Sequence, residues 1–353
     1  MIASPTTPSE QWLVELQDRA NAADLQTQWP AESWDLLRTA GVLEWCIPVQ
    51  YGGQERTGID LLKGYEKVAG ACLTTCFILS QRDAACRRLR DHGSPALRQK
   101  LLSALASGKS FATVGLSHLT TSRQHLEPAL RARESKDGFV LNGTMPWVTG
   151  AERADFFITG AVLEDGRQIM LVLPRNLDGV SIGPPLPLMA LSGSLTAEVQ
   201  CQEVMVKRSR LLAGPAVKVM GAGRGGTGGL ETSCLALGLA GAALAYLFHE
   251  GESRSELRSV AENLDKTRQA LRQEMHRLVQ EKSTPEEAMS LRSRANALIL
   301  GSTQAALTAG KGMGFLTNHP AQRWARQALF FLVWSCPRPA AEATLEFLST
   351  SPH

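Results

Sequence analysis

The spacing of apolar residues changes twice along this chain, and that change limits its possible folds more than any other feature. From about residue 9 to residue 107 the spacing is helical, and from about residue 111 to residue 212 it shortens to two, as in half-buried strands. Helical spacing returns after the glycine-rich stretch 221–229. The sequence therefore predicts an α+β fold with three domains, at residues 1–108, 109–213 and 214–353.

The same spacing predicts the individual elements. In the first block we expect helices around Trp12 and Trp34, one helix over 61–89 and one over 95–106. In the second block strands over 139–141, 156–159, 169–173 and 198–204 predict an antiparallel sheet or barrel, and Asn142-Gly143 predicts a tight turn. The last block predicts a four-helix bundle over 230–250, 256–281, 285–309 and 322–333.

Charge and hydropathy exclude some classes of partner. The 353 residues include 37 Lys+Arg and 34 Asp+Glu, and this near balance argues against nucleic acid as the main partner. The N-terminus lacks the charged and apolar regions of a signal peptide, and the longest uncharged apolar run, 234–248, is shorter than the roughly 20 residues of a membrane span. We therefore expect a soluble, cytoplasmic protein with no membrane span.

The seven cysteines are scattered, and none belongs to a CxxC pair or lies near a histidine pair. Structural zinc sites usually show such spacing. The sequence predicts free, buried thiols in a reducing compartment and no metal site.

Several short motifs occur in a fixed order along the chain. They are Ile47-Pro48-Val49-Gln50-Tyr51-Gly52-Gly53, the run Gly93 to Gly108 with Lys100, Leu101 and Leu102, Asn142-Gly143 with Trp147-Val148-Thr149, Leu191 to Val206 with Ser194 and Thr196, and Gly310 to Phe315 followed by Arg323 and Arg326. This series resembles the acyl-CoA dehydrogenase family, in which a helical N-terminal domain, a middle β-domain and a C-terminal four-helix bundle follow one another. The resemblance implies a flavin-dependent oxidoreductase that removes hydrogens from the α and β carbons of an acyl thioester, with FAD as the hydride acceptor.

The resemblance also implies cofactor and substrate contacts. Trp147 would stack on the flavin, Thr149 would bond near its N5, and Leu116-Ser117 would contact its pyrimidine edge. Alternatively, Trp147 is a core aromatic and Thr149 an exposed strand residue. Two further sets of residues follow from the matched motifs: Gly310, Lys311 and Gly312 on the cofactor side, and Ser194, Thr196 and Ser335 on the substrate side.

The catalytic base is expected at an unusual position. The family's Tyr-Glu-Gly-Thr element is replaced here by Trp334-Ser335-Cys336-Pro337, and a serine hydroxyl cannot take a carbon-bound proton at neutral pH. Members of the isovaleryl-CoA type carry the base at the start of the first bundle helix, and counting back ten residues from Gly241 reaches Glu231. We expect Glu231 to be the base, in an apolar acyl pocket that makes it more basic. The alternative is that Glu231 favours only the N-terminus of its helix.

Departures from the family leave other functions open. The flavin loop, here 117–124, lacks the family's Gly-Ser pair and acid, and the turn 250–256 replaces its FAD-clamping arginine segment. Arg254 or Arg258 would take over a phosphate contact or would be solvated surface charge. His118 fits a flavin-dependent monooxygenase of the same fold, and the loss of motif residues fits a non-catalytic homologue. The implied partners are acyl-CoA or another acyl thioester, an unidentified electron acceptor, and further copies of the chain in a dimer or tetramer.

Overall fold

The computed structural model describes residues 10–120, 127–220, 230–281 and 284–334, and residues 341, 342, 345, 346 and 349. Its helices are α1 (Gln11–Asp18), α2 (Ala20–Leu25), α3 (Ala31–Thr39), α4 (Gly58–Ala71), α5 (Leu73–His92), α6 (Pro95–Ala106), α7 (Ser117–Thr120), α8 (Leu230–Glu250), α9 (Ser255–Glu281), α10 (Pro285–Gly314) and α11 (Pro320–Val333). Its strands are β1 (Ala112–Gly115), β2 (Leu130–Glu134), β3 (Gly138–Val148), β4 (Phe156–Leu163), β5 (Gln168–Pro174), β6 (Val180–Ile182), β7 (Ala197–Lys207) and β8 (Leu211–Ala216). The order helical, β, helical is as expected.

The single helix expected over 61–89 is two helices, because the backbone is extended at Cys72 (φ −150°, ψ 104°) between α4 and α5. The following Thr74 and Thr75 are β-branched, which lowers helix propensity. The Cys72 thiol lies 3.2 Å from the Thr75 hydroxyl, so the residue at the break contacts the first turn of α5. The break lets α5 turn away from α4 and pack on the sheet.

One eight-stranded sheet forms the middle of the molecule, in the order β6-β7-β3-β2-β4-β5-β8 with β1 beside β4. Most neighbours are antiparallel, but β1 and β2 each pair parallel to β4, so the sheet is mixed rather than purely antiparallel. Parallel pairing requires a long connection, and the β2–β3 hairpin between β1 and β4 supplies one. The last strand, β8, runs to Ala216, slightly beyond the expected boundary at 213.

The tight turn predicted at Asn142-Gly143 is wrong. Strand β3 runs through both residues, and its register against β7 shifts between Leu141 and Gly143. Gly143 has φ +121°, and a Cβ there would overlap the carbonyl oxygen of Ala129. The Asn142 side chain accepts a hydrogen bond from the Glu203 backbone across the sheet at 2.8 Å. The residues that favour a tight turn therefore make a β-bulge inside a long strand.

The two faces of the sheet belong to different cores. Phe156 and Ile158 of β4 join the cluster formed with the helices, whereas Phe157 between them joins a second cluster enclosed by the strands. This alternation follows the period of two that the sequence shows. Helix α5 lies on the first face, so its side chains reach both the sheet and the C-terminal helices.

The four C-terminal helices follow the prediction closely. Helix α8 has the expected bounds, and α11 begins two residues early because Pro320 occupies its first turn and His319 caps it. Helices α4 and α8 approach closely where a Cβ on Gly238 would overlap the Glu66 carbonyl oxygen. Helix α8 is long and apolar enough to cross a membrane, but 67% of its most apolar window is buried within the fold, as in a core helix.

Candidate functional site

A strained loop between β6 and β7 carries two of the expected site residues. Leu191 (φ 64°) and Leu195 (φ 44°) both adopt the left-handed region, which costs a non-glycine residue about 1–3 kcal/mol. Between and beside them lie the buried hydroxyls of Ser194 and Thr196, 2.9 Å apart. Thr196 in turn donates to the Thr149 hydroxyl at 3.4 Å. The loop and the end of β3 therefore place three hydroxyls in a row, which we call the hydroxyl row: Ser194, Thr196 and Thr149.

Asp24 of α2 fixes this loop from the helical side. Its carboxylate is fully buried and accepts hydrogen bonds from the Leu191 backbone and from the Gln327 side chain, both at 2.8 Å. Arg326 of α11 completes the arrangement with an ion pair to Asp24 at 2.7 Å and a hydrogen bond to the Met189 carbonyl. One carboxylate thus ties α2, α11 and the loop together. Neither Asp24 nor its role was predicted, because a lone acid in a short helix resembles a surface residue.

At the end of β3, the exposures of Trp147 and Thr149 are the reverse of those in the alternative prediction. Trp147 is 50% exposed and so is not a core aromatic, whereas Thr149 is only 4% exposed and is not a surface residue. An indole face open to solvent two residues from a buried hydroxyl suits a flat, polar ring. Contact with a flavin at these two positions stays a prediction.

The residues at the start of α7 are less open. Leu116 is buried, and Ser117 begins the helix. The His118 ring is also buried, with Nε2 2.8 Å from the Gly160 carbonyl oxygen on β4. A carbonyl oxygen only accepts, so Nε2 carries the proton in this contact. The rest of the flavin loop, 121–124, lies outside the described residues.

Glu231 lies in the first turn of α8, where its carboxylate faces a cation. Arg87 of α5 donates from Nη2 to Glu231 Oε2 at 3.0 Å and from Nη1 to the Tyr65 hydroxyl oxygen at 3.3 Å. The Glu231 side chain is 36% exposed and the Arg87 side chain is 20% exposed. The Glu231 carboxylate therefore contacts a guanidinium, whereas the sequence predicts an apolar acyl pocket around it.

Behind Arg87 the polar contacts continue into the core. The Tyr65 hydroxyl donates to Asp83 at 2.6 Å, and Arg82 donates to the other Asp83 oxygen at 2.6 Å. All three side chains are almost completely buried. Burial, followed by the Asp83 carboxylate, raises the pKa of Tyr65 well above its usual range, so the phenol stays protonated. Sequence reasoning missed this group, although the pair Arg82-Asp83 shortly after the apolar stretch Phe77-Ile78-Leu79 was a signal.

Two cysteines adjoin Asp83. The six cysteines in the described part of the chain are free and buried, as expected, while Cys336 lies outside it. Cys46, Cys86 and Asp83 hold their donor atoms within 4.8 Å of one another, a spacing that a metal ion could bridge. Both Asp83 oxygens already accept hydrogen bonds, and the cation beside them is Arg82. The prediction of no metal site stays untested.

The expected glycine turn at 310–315 is mostly helical. Helix α10 continues to Gly314, with a kink at the exposed Lys311 (φ 49°, ψ −143°). Gly310 packs beside the Tyr246 hydroxyl and the His319 ring, whereas nothing lies within 4 Å of a Cβ on Gly312. The kink therefore presents a lysine in a backbone conformation that favours glycine.

Both arginines of the neighbouring turn are engaged within the chain. Arg254 donates to the Ala309 carbonyl at 2.9 Å and pairs with Glu250, which fixes this turn against α10 beside Lys311. Arg258 forms an exposed pair with Glu262, as the surface-charge alternative predicts.

The position of Ser335 lies outside the described residues, but the helix leading to it is firmly held. The buried Arg292 donates to the carbonyls of Phe331 and Trp334 at 2.9 and 3.0 Å, at the C-terminal end of α11. The Trp334 ring stacks on Phe330 and meets Phe77 of α5 edge-on, with ring centroids 5.1 Å apart in both pairs. The structure thus joins Ser194, Thr196 and Thr149 directly, and joins Glu231 to α5.

Comparisons with known proteins agree with this architecture. The family "Acyl-CoA dehydrogenase, N-terminal domain" matches residues 13–109. The chain is 27% identical over 242 residues to "Probable acyl-CoA dehydrogenase YngJ" of Bacillus subtilis, an alignment that covers 65% of this chain and 62% of YngJ, and so less than two thirds of that relative. It is 24% identical over 343 residues to the mitochondrial short-chain specific acyl-CoA dehydrogenase of Mus musculus, covering 89% of this chain and 81% of the mouse protein.

The fold is shared with solved structures. A glutaryl-CoA dehydrogenase from Mycobacterium smegmatis, solved in complex with FADH2, superposes with a TM-score of 0.81 at 16% identity, over 99% of this chain and 96% of that one. The fold prediction is therefore confirmed. The resemblance to the acyl-CoA dehydrogenase family is confirmed as well.

Proposed function

We propose that this acyl-CoA dehydrogenase-like protein is an FAD-dependent oxidoreductase that dehydrogenates an acyl thioester between its α and β carbons. The observation that carries the proposal is the hydroxyl row Ser194–Thr196–Thr149, held by a strained loop beside the half-exposed indole of Trp147. Strain of this kind persists where the surroundings fix it, and here a buried carboxylate does so. Relatives of the same family carry acyl-CoA dehydrogenase names, and the Mycobacterium smegmatis protein binds FADH2.

The residues present fit a flavin. An aromatic face, a buried threonine hydroxyl two residues on, and the Leu116-Ser117 backbone are suited to a flat heteroaromatic ring with polar edges. When bound, FAD supplies the hydride acceptor that no side chain can provide. Lys311, exposed at the α10 kink, is the cation we assign to the cofactor's phosphates, together with the backbone of Gly310 and Gly312.

The chain itself provides the base. We assign Glu231 to take the α-proton of the substrate on its carboxylate, while Arg87 holds that carboxylate in place beforehand. Ser194 and Thr196 are assigned to the substrate side of the hydroxyl row, and Ser335 to the same side. The substrate is acyl-CoA or another acyl thioester, and the electron acceptor is a separate partner.

The remaining assignments follow the family. We infer that the protein is a cytoplasmic homo-oligomer, a dimer or tetramer, with no nucleic-acid partner. The near-balanced charge of +3 supports the last point.

Two alternatives differ in what they predict. A flavin-dependent monooxygenase would form product only with oxygen and reduced flavin, and a non-catalytic homologue would stay colourless after incubation with FAD. The contact between His118 and the Gly160 carbonyl holds that ring against β4, which gives the monooxygenase no specific support.

Reconstitution with FAD tests the cofactor assignment. Purified protein is incubated with FAD, desalted and examined by absorption spectroscopy, alongside the variant Trp147→Ala and the control Trp12→Phe in the distant helix α1. We expect flavin absorbance in the wild type and the control, and much less in Trp147→Ala because the ring loses its stacking face. A wild-type protein that remains colourless would rule out the proposed function.

A further inference from the structure

A continuous line of polar contacts leads from Glu231 into the core. It consists of Glu231, Arg87, Tyr65, Asp83 and Arg82, and we call it the Glu231 network. Its members come from α8, α5 and α4, and Arg82 extends it to α6 by donating to the Leu105 carbonyl at 2.7 Å. Three of the five side chains are at most 1% exposed.

The direction of each hydrogen bond is fixed by chemistry. A carboxylate only accepts, so the Tyr65 hydroxyl donates its proton to Asp83 and turns its lone pairs toward Arg87. Arg82 holds the second Asp83 oxygen, so the carboxylate cannot rotate away. Arg87 therefore has one anchor in the core and one partner, Glu231, at the start of α8.

The core anchor matters because an arginine pair at this exposure is weak by itself. A guanidinium on a long side chain must give up rotamer freedom to hold one geometry, and exposed pairs gain little from it. A second, buried contact restricts the guanidinium independently of Glu231.

We propose that Tyr65 and Asp83 are positioning residues, which hold the Arg87 guanidinium and through it keep the Glu231 carboxylate in one place. The inference rests on the proposed function for the task it gives Glu231, but the contacts themselves do not depend on it. The charged and titratable groups facing Glu231 are Arg87 and Arg88 from α5, Tyr65 from α4 and Cys234 from its own helix.

Carboxyl footprinting tests the proposal without substrate or cofactor. The full chain is treated with a water-soluble carbodiimide and glycine ethyl ester, and labelling of Glu231 is measured by peptide mass spectrometry relative to the exposed Glu256. Loss of one hydrogen bond should raise Glu231 labelling about fivefold in Tyr65→Phe. Tyr246→Phe is the matched control, since it removes a phenol hydroxyl elsewhere in the fold, and its labelling should equal that of the wild type.

A second variant covers the case in which Tyr65→Phe does not fold. Arg87→Lys keeps the positive charge but lacks the two terminal nitrogens that donate separately to Tyr65 and Glu231. Its Glu231 labelling should therefore also rise. Wild-type labelling in Arg87→Lys, or in folded Tyr65→Phe, would overturn the proposal. Either result would mean that charge alone, or Arg87 alone, holds the carboxylate.

Turnover separates this inference from the proposed function. If the chain dehydrogenates butyryl-CoA or isovaleryl-CoA, Tyr65→Phe should lower kcat about fivefold with KM unchanged, since the base is misplaced and the substrate contacts remain. Full activity of Glu231→Gln would refute the base assignment and leave the footprinting result standing. Raised labelling with unchanged kcat in Tyr65→Phe would support the positioning of Glu231 and refute its effect on turnover.

Discussion

Single residues in this chain hold together parts that are far apart in sequence. Asp24 is the clearest case, because its buried carboxylate joins α2 to the strained loop at Leu191 and to Arg326 and Gln327 of α11. Arg326 has no other acid in contact with it among the described residues. Replacing the buried Asp24 carboxylate therefore removes the partner of the partly exposed Arg326.

We expect Asp24→Asn to lower the free energy of unfolding by about 3–5 kcal/mol, the usual cost of breaking a buried ion pair. Urea denaturation followed by circular dichroism measures this. The control is Asp18→Asn on the exposed surface of α1, where the change should stay within about 0.5 kcal/mol. Equal stability of the two variants would show that Asp24 does not hold the loop.

At Lys311, in contrast, we expect a substitution to raise the free energy of unfolding. Its φ of 49° and ψ of −143° suit glycine, so Lys311→Gly should raise the free energy of unfolding by about 1 kcal/mol through relief of strain. The same substitution at Lys266, in the middle of the regular helix α9, should lower it by about 1 kcal/mol. Thermal unfolding of both variants decides the matter, and destabilisation by Lys311→Gly would contradict the strained kink.

At the scale of elements, glycine sets how closely helices meet. Gly238 lets α8 approach α4 until the Glu66 carbonyl occupies the space of a Cβ, whereas Gly301 of α10 has its nearest neighbour, Leu264, 3.9 Å from that position. Gly238→Ala should cost about 1–3 kcal/mol by forcing the helices apart, while Gly301→Ala should gain up to about 1 kcal/mol in helix propensity. Chemical denaturation of the pair measures both, and a stable Gly238→Ala variant would refute the close packing.

The elements also show how far sequence reasoning reaches. Helices α8 to α11 were predictable because each has a sustained apolar period and a clear start, such as Pro285 or Pro320. The bulge at Gly143 was not, because the same dipeptide suits a turn, and the deciding contact comes from Ala129, directly before β2. The split between α4 and α5 depends on Cys72 and on what each helix packs against, which no local pattern records.

Some features of the candidate site could also be predicted from the sequence, and others could not. Motif order singled out Ser194, Thr196 and Thr149, and the fold brings their hydroxyls into contact, while their roles in binding stay predictions. The partner of Glu231 lies 144 residues earlier in the chain, so local sequence could not reveal it. Asp24, 167 residues from Leu191, is hidden for the same reason.

For the whole molecule, buried thiols make stability fall at alkaline pH. Burial raises the pKa of Cys72, Cys76 and Cys234, and raises that of Cys201 from 9.0 to about 12. A raised native pKa stabilises the fold below pH 9, where the unfolded thiols are also protonated. Above pH 9 the unfolded chain releases protons that the native chain keeps, so the native state loses its advantage.

We therefore expect the free energy of unfolding in reducing buffer to be nearly constant from pH 7 to 8.5 and to fall above pH 9. Each buried thiol contributes a slope of about 1.4 kcal/mol per pH unit once its unfolded form is ionised. Cys201→Ala should reduce the total slope by one such increment, which urea titrations at several pH values can resolve. A stability that rises between pH 9 and 10 would contradict the burial of these thiols.

The central claim is that this fold abstracts a proton with Glu231 while bound FAD accepts a hydride. Anaerobic addition of butyryl-CoA and isovaleryl-CoA to the FAD-reconstituted protein, followed at the flavin absorption bands, tests it most directly. We expect rapid bleaching in the wild type and a loss of at least about 100-fold in rate in Glu231→Gln. Bleaching at the wild-type rate in Glu231→Gln, or a flavin that neither thioester bleaches, would contradict it.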